Sequence, residues 1–88
     1  MNLSNERKLA ARAKELGESA SSASFAELAE LTRSESPLVR RLAASALGKL
    51  ARIVAPESAV KTLQPLLSDV HPQVRQYAAK ALGAFGTH

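Results

Sequence analysis

Residues 34–48 read SESPLVRRLAASALG, and the same pattern returns 35 positions later as DVHPQVRQYAAKALG at residues 69–83. The two copies align without a gap, and the residues they share are Pro, Val, Arg, three Ala, Leu and Gly. The same shift pairs Leu28 with Leu63 and Leu31 with Leu66. Because a fixed period filled with helical patterns is typical of stacked helical repeats, the sequence predicts an all-α solenoid.

Proline marks the predicted start of three helices, at Pro37, Pro56 and Pro72. Its fixed φ suits the first helical position, where its missing N–H is not needed. Ser36 is expected to cap the first of these helices. That helix should end just before Pro56, since proline disfavours helical backbone in the residue ahead of it. Pro65 lies inside the next helix, so we expect a kink or an early end there.

The predicted core is a stripe of apolar residues on one face of each repeat helix. In the third helix the stripe is Val39, Leu42, Ala43, Ala46, Leu47, Leu50 and Ile53. The opposite face carries Arg41, Ser45, Gly48 and Arg52. The fourth helix turns inward Val60, Leu63, Leu66 and Leu67. The fifth turns inward Val74, Tyr77, Ala78, Ala81, Leu82 and Phe85.

The N-terminal residues 3–16 also have a helical pattern. Asn2 or Ser4 could cap this helix, and Gly17 is expected to stop it because glycine enters the left-handed conformation easily. The helix is basic and amphipathic. Its apolar stripe is narrow and alanine-rich, which favours packing on the first repeat over lying on a membrane.

Ser24 and Glu27 match a capping box, which predicts a short second helix ending near Arg33. About five antiparallel helices joined by short turns result. We therefore predict a single domain made of an N-terminal helix (1–17), a first repeat (24–53) and a second repeat (57–86).

The composition bounds the class of protein. The chain has 88 residues, no cysteine and a formal net charge of +4. Disulfide and thiolate chemistry are therefore excluded, and no apolar run approaches the roughly 20 residues of a membrane span. We expect a cytoplasmic protein whose mild basic excess tolerates an acidic partner or nucleic acid.

The motif Pro-x-Val-Arg-x-x-Ala-x-x-Ala-Leu-Gly occupies residues 37–48 and 72–83, the second time behind Asp69. It resembles the second helix of HEAT repeats, particularly the short bacterial and archaeal HEAT-like type. Residues 63–67, Leu-x-Pro-Leu-Leu, resemble the preceding first helix, in which the family often carries a proline. The resemblance covers about residues 24–86.

This resemblance implies a right-handed α-α superhelix whose second helices line a concave surface for a partner, usually another protein. It implies no particular activity. The chain departs from the pattern in two ways. Ser34 stands where the second repeat has Asp69, so a ladder of Asp–Arg pairs would be incomplete, and only two full repeats are present.

Arg40 and Arg75 occupy the shared arginine position at the edge of the apolar stripe. We interpret them as stapling the repeats together through hydrogen bonds to Asp69 or to loop carbonyls, because a planar guanidinium suits a fixed array of acceptors. Asp69 is interpreted as the matching acceptor at a helix start. Direct contact with an anion or a partner is the alternative.

The polar positions of the second helices are the candidates for partner binding, namely Arg41, Ser45, Lys49, Arg52, Gln76 and Lys80. On the concave side that the resemblance implies, they would form a mildly basic groove. We expect a scaffold module that mediates protein–protein interaction or self-association.

The alternative is a small basic nucleic-acid-binding domain. It would use the first helix together with Arg41, Lys49, Arg52 and Lys80, because a basic surface can follow a phosphate backbone. No aromatic residue interleaves these charges to stack bases, which favours the protein partner.

No catalytic arrangement is evident in the sequence. Ser68, Asp69 and His71 are the residue types of a hydrolase triad, but they are too close along the chain to place the base between the nucleophile and the acid. His71 and His88 are the only imidazoles, and neither has a carboxylate at metal-ligand spacing on a shared helix face. We therefore predict a non-enzymatic protein with no cofactor, no metal and no small-molecule substrate.

The C-terminal end of the stack is predicted to leave apolar surface uncovered. Only Thr87 and His88 follow the fifth helix, so one flank of Tyr77, Leu82 and Leu66 would lack a covering repeat. An uncovered apolar flank predicts self-association or docking onto another chain.

Overall fold

The computed structural model describes residues 2–86, which form five α-helices: α1 (Leu3–Ser19), α2 (Phe25–Leu31), α3 (Pro37–Gly48), α4 (Pro56–Leu63) and α5 (Pro72–Ala84). Short 3₁₀ helices lie at Ser22–Ser24 and Gln64–Ser68. The described range contains no strand, so the predicted all-α class is confirmed.

The central helix is α3, which packs against α1 on one side and against α5 on the other. Helix α2 packs against α1 and α3, and α4 packs against α5. The shortest extent of the backbone is 14 Å, as expected for two layers of helices about 10 Å apart. One layer holds α1, α3 and α5, and the other holds α2 and α4.

The core lies between these layers and consists mainly of Leu, Val and Ala. Its largest fully buried side chains are Leu28, Leu47, Leu50, Leu63, Val39 and Val74. All of these except Leu28 belong to the stripe predicted for the third, fourth and fifth helices, and they confirm it there. Two predicted core positions were wrong, since Ile53 is 45% exposed and Leu67 is 41% exposed.

The predicted helix starts are confirmed, with proline in the first turn of α3, α4 and α5. The Ser36 hydroxyl accepts a hydrogen bond from the Val39 N–H at 3.2 Å and donates to the carboxylate of Glu6. It therefore caps α3 and ties that helix to α1 at the same time. The early end expected at Pro65 is also confirmed, because α4 stops at Leu63 and continues as a 3₁₀ helix.

The prediction that Gly17 stops the first helix was wrong. Helix α1 continues to Ser19, and Ala20 takes the left-handed conformation at φ 50°. Gly17 is buried, and a β-carbon at this position would lie 2.8 Å from Cβ of Ala46. Its small size therefore serves the close approach of α1 to α3. Asn2 supplies the cap, accepting from the Asn5 N–H at 2.8 Å.

Helix α3 is shorter than expected and is covered on two sides. It ends at Gly48, and the N–H groups of Lys49 and Leu50 bond to carbonyls three residues earlier, which tightens the backbone. The change of direction takes Ile53 out of the stripe.

Gly48 was predicted to lie on the face opposite the apolar stripe, but it packs against α5. A β-carbon at this position would lie 3.3 Å from Cα and Cβ of Ala81 in α5.

The predicted capping box at the start of α2 does not form. Ser24 makes no cap hydrogen bond, and its hydroxyl lies 3.0 Å from that of Ser19. The Glu27 carboxylate instead accepts two hydrogen bonds from Arg12 of α1, at 2.8 and 2.9 Å. These bonds to a cation hold the pKa of Glu27 below its usual range. A charged partner on another helix thus replaces the local cap.

Candidate functional site

A groove runs between α3 and α5, with two clefts of about 250 and 330 Å³ along it. We call it the α3/α5 groove. The first cleft is lined by Ser45, Gly48, Lys49, Tyr77, Lys80, Ala81 and Ala84. The second is lined by Pro37, Leu38, Arg41, His71, Pro72, Gln73 and Val74.

The first cleft has an apolar floor and a cationic rim. Its floor is formed by the small residues Gly48, Ala81 and Ala84, where Gly48 lies close against Ala81. Lys49 and Lys80 are exposed, one from each side of the cleft. Because both lysines line the cleft, the aliphatic parts of their side chains can lie along its apolar floor while the ammonium groups stay in water.

Arg41 and Tyr77 separate the two clefts. The guanidinium carbon of Arg41 lies 5.6 Å from the centre of the Tyr77 ring, within the range of a cation–π contact. Its Nη1 also donates to Oε1 of Gln73 at 3.3 Å. These contacts hold the charge of Arg41 between α3 and α5, so it forms a fixed cationic point in the groove.

The structure brings together four of the six candidate residues for partner binding. Arg41, Ser45, Lys49 and Lys80 line the clefts. Arg52 and Gln76 are exposed but line neither cleft. Arg52 is turned away because the chain leaves α3 before it, whereas the sequence predicted a longer helix.

Sequence reasoning missed the contribution of Tyr77, Ala81 and Ala84 to the groove. Tyr77 was assigned to the core, but it is only half-buried and its ring lies at the groove. The signal was present, because Tyr77 and Ala84 stand three and four residues from Lys80 and so share its side of the helix.

Arg40 joins the two repeats through Asp69. Its Nε donates to Asp69 Oδ2 at 2.7 Å and its Nη2 donates to Oδ1 at 3.1 Å. Its Nη1 donates to the backbone carbonyls of Ser34 and Glu35 at 2.8 and 3.0 Å. The side chains are 15% and 8% exposed, so this forked pair is largely shielded from water.

The charge of Asp69 is stabilised by this arrangement. The hydrogen bonds from Arg40 are the largest cause that holds the pKa of Asp69 below its usual range, and the His71 N–H adds a further bond at 3.0 Å. Both interactions favour the carboxylate over the carboxylic acid.

Arg75 repeats part of the Arg40 arrangement. Its Nη1 donates to the carbonyl of Asp69 at 2.7 Å, as Arg40 donates to the carbonyl of Ser34 one repeat earlier. Within residues 2–86, no carboxylate lies within ion-pair distance of Arg75. Asp69 thus accepts hydrogen bonds from Arg40 with its carboxylate and from Arg75 with its backbone carbonyl.

The predicted apolar flank was wrong for two of its three residues. Leu66 and Leu82 are only 6% and 5% exposed, because α5 packs against the 3₁₀ helix that contains Leu66. The large apolar side chains exposed near the end of the stack are instead Leu67 at 41% and Val70 at 82%.

Neither a candidate membrane span nor a candidate metal cluster occurs in the described range. No helix among residues 2–86 is long and apolar enough to cross a bilayer. The same residues contain no group of three or more Asp, Glu or His side chains placed to hold a metal ion.

The chain matches a known protein family. The family model described as HEAT-like repeat matches residues 37–85, a segment that begins at α3, ends just after α5 and covers more than half of the chain. No curated protein matches the chain significantly.

Proposed function

We propose that this chain, which belongs to the HEAT-like repeat family, is a non-enzymatic, cytoplasmic scaffold module that binds a partner protein in the α3/α5 groove. The observation that carries the proposal is the first cleft, where an apolar floor lies between Lys49 and Lys80. Apolar anchors surrounded by charge are the usual anatomy of a protein-binding surface.

The size and arrangement of the clefts suit the side chains of a protein partner. The first cleft, at about 250 Å³, is below the typical range for small-molecule sites, about 300–1,000 Å³, and the second, at about 330 Å³, is at its lower end. Such a cleft suits one apolar side chain. Two clefts along one groove suit successive anchors of a helix, as in helix-in-groove recognition.

The positive charge of the groove favours a partner segment that carries acidic residues. Lys49, Lys80 and Arg41 line the clefts, and no Asp or Glu lines either of them. The partner segment should therefore carry carboxylates beside its apolar anchors, because complementary charge speeds the encounter and fixes the register.

Affinity capture from the cell that makes the protein tests this proposal. The groove variant carries Lys49→Glu and Lys80→Glu. The matched control carries Lys8→Glu and Lys14→Glu, an equal charge change at exposed positions of α1. We expect the wild type and the control to retain the same partner and the groove variant to lose it. Equal retention by all three proteins would contradict binding in the groove.

Nucleic-acid binding is the alternative, and salt dependence distinguishes it. The clefts are lined by three cations, Arg41, Lys49 and Lys80, which is fewer than the roughly 6–10 phosphate contacts of strong, salt-dependent nucleic-acid binding. We expect no binding of oligonucleotides at physiological salt. Binding that weakens steeply with salt, and that Arg41→Glu with Arg52→Glu abolishes, would favour the nucleic-acid reading instead.

A further inference from the structure

The α3/α5 groove runs between two helices that point in the same direction. Arg41 of α3 contacts Gln73 and Tyr77 of α5. Further along α3, Gly48 lies close against Ala81, which is further along α5. Because the contacts advance together, the helices are parallel, and the second cleft lies at their N-terminal ends and the first at their C-terminal ends.

The two clefts have a definite spacing along this groove. Pro37 and Pro72 line the second cleft, and the residues eight positions later, Ser45 and Lys80, line the first. Eight residues advance an α-helix by about 12 Å. A partner helix lying along the groove carries residues i and i+7 on one face, about 10.5 Å apart, so two side chains at this spacing reach both clefts.

Arg41 lies between the two clefts and is held there by α5. The ring of Tyr77 lies 5.6 Å from its guanidinium carbon, and Oε1 of Gln73 accepts from its Nη1. Its Nε and Nη2 donate to no other group in the described part of the chain. These two donors form one edge of the planar guanidinium, the edge that pairs with both oxygens of a carboxylate. Because the group is already held, such pairing needs little further ordering.

The carboxylates of the chain itself do not occupy this position. Neither α3 nor α5 contains Asp or Glu. Asp69, which precedes α5, is paired with Arg40, and Glu35, which precedes α3, lines neither cleft. The described residues place no carboxylate within ion-pair distance of Arg41. The free edge of Arg41 is therefore open to a carboxylate of the bound partner.

We propose that Arg41 determines which helix the groove accepts, namely one with large apolar residues at positions i and i+7 and a carboxylate one turn after the first of them. The apolar side chains fill the two clefts, and the carboxylate pairs with Nε and Nη2 of Arg41. The pattern holds for either direction of the partner helix, because a carboxylate at i+4 becomes one at i+3 when the order is reversed. This inference rests on the proposed function and adds the spacing and the residue that recognises the charge.

A second copy of the chain does not supply such a helix. With Leu, Ile, Val, Phe or Met as the apolar residues, the pattern occurs at two places in the sequence. They are Leu31-Glu35-Leu38 and Ile53-Glu57-Val60. In the first case α2 ends at Leu31, and in the second α4 begins only at Pro56, so neither set lies on one helix. The partner is therefore a different protein.

Three synthetic peptides test the pattern. Each is an alanine-rich helix of about 18 residues, long enough to be helical in water. The first has Leu at i and i+7 and Glu at i+4. The second has the same composition but carries Glu at i+2, on the opposite face of the helix. The third keeps Glu at i+4 of the first Leu and moves the second Leu to i+3, so that it reaches only one cleft.

The peptides are titrated into the full ¹⁵N-labelled chain. We expect the first peptide to bind about tenfold more tightly than either of the others, because it alone fills both clefts and pairs with Arg41. It should also shift the Nε–H resonance of Arg41, which the second peptide should leave in place. Absence of binding by all three peptides, or equal affinity of the first and second, would overturn the inference.

Variants of the chain assign the preference to Arg41. Arg41→Gln should remove the advantage of the first peptide over the second, and Arg41→Lys should keep only part of it, since an ammonium has the charge but not the fork. The control is Arg52→Gln, which removes an exposed arginine that lines neither cleft and should leave the advantage intact. An advantage that persists in Arg41→Gln would also overturn the inference.

The capture experiment separates this inference from the proposed function. A partner that the wild type retains and the Lys49→Glu, Lys80→Glu variant loses would support binding in the groove whatever the peptides show. If that partner contacts the groove without a helix of the stated pattern, the inference is wrong and the proposed function stands.

Discussion

Two arginines at equivalent positions of the repeat have different environments. Arg40 makes four hydrogen bonds in a shielded position, two of them to the carboxylate of Asp69. Arg75 makes one, to an exposed backbone carbonyl. The same residue type in the same local sequence therefore contributes to folding in one repeat and is available for contact in the other.

Substitution of the two arginines should separate these roles. Arg40→Gln leaves Asp69 without its cation, and we expect it to lower the free energy of unfolding by about 2–3 kcal/mol. Arg75→Gln should cost less than about 1 kcal/mol, because only one exposed hydrogen bond is lost. Urea denaturation followed by circular dichroism measures both. Equal losses would show that Arg40 does not staple the repeats.

Asp69 should make the stability depend on pH. Its pKa is lower in the folded protein than the ordinary value of about 3.9, so its contribution is complete above that value and is lost as the pH falls through the folded pKa. The Asp69→Asn protein lacks this contribution at every pH. The difference in unfolding free energy between wild type and Asp69→Asn should therefore shrink between pH 6 and pH 3. A difference that stays constant over this range would contradict the assignment.

At the scale of helices, glycines set the distances between elements. Gly17 and Gly48 both lie where one helix approaches an alanine of the next, but the space differs. A β-carbon at position 17 would lie 2.8 Å from the side chain and 3.0 Å from the backbone of Ala46, whereas at position 48 the nearest atoms of Ala81 are 3.3 Å away.

Alanine at these two positions should therefore differ in effect. Gly17→Ala forces α1 away from α3, and we expect a net loss of about 1–3 kcal/mol despite the better helix propensity of alanine. Gly48→Ala needs a shift of only a few tenths of an ångström and should cost less. Thermal unfolding of both variants measures the order, and a larger loss for Gly48→Ala would contradict the packing described.

The sequence predicted those elements that local rules decide. The 35-residue register gave the repeats, and prolines gave the starts of α3, α4 and α5 correctly. The errors at Gly17 and Ser24 came from contacts distant in the chain, with Ala46 for the first and with Arg12 taking Glu27 for the second. Short-range patterns contain no information about such partners.

For the candidate site, the sequence predicted which side chains lie on the surface but not the clefts between the helices. Helical spacing placed Ser45, Lys49 and Lys80 on the surface of the second helices, and they do line the groove. The clefts themselves depend on how closely α3 and α5 approach, which the sequence does not specify. The resulting contact of Arg41 with Tyr77 and the exposure of Val70 could be read only from the packed structure.

At the scale of the whole molecule, the α3/α5 groove follows the stacking of the helices, as the extended surfaces of helical repeat proteins do. Its first cleft has an apolar floor and a cationic rim. A partner segment with carboxylates beside its apolar side chains is therefore the complement that we propose for this surface.

The proposed function depends on protein binding in the α3/α5 groove. The most direct test titrates the captured partner, or the segment of it that binds, into the ¹⁵N-labelled chain. We expect the largest shifts at Ser45, Lys49, Tyr77, Lys80 and Ala84, and we expect Lys49→Glu with Lys80→Glu to weaken binding by about tenfold or more. Shifts confined to α1 or α2, with unchanged affinity in that variant, would contradict it.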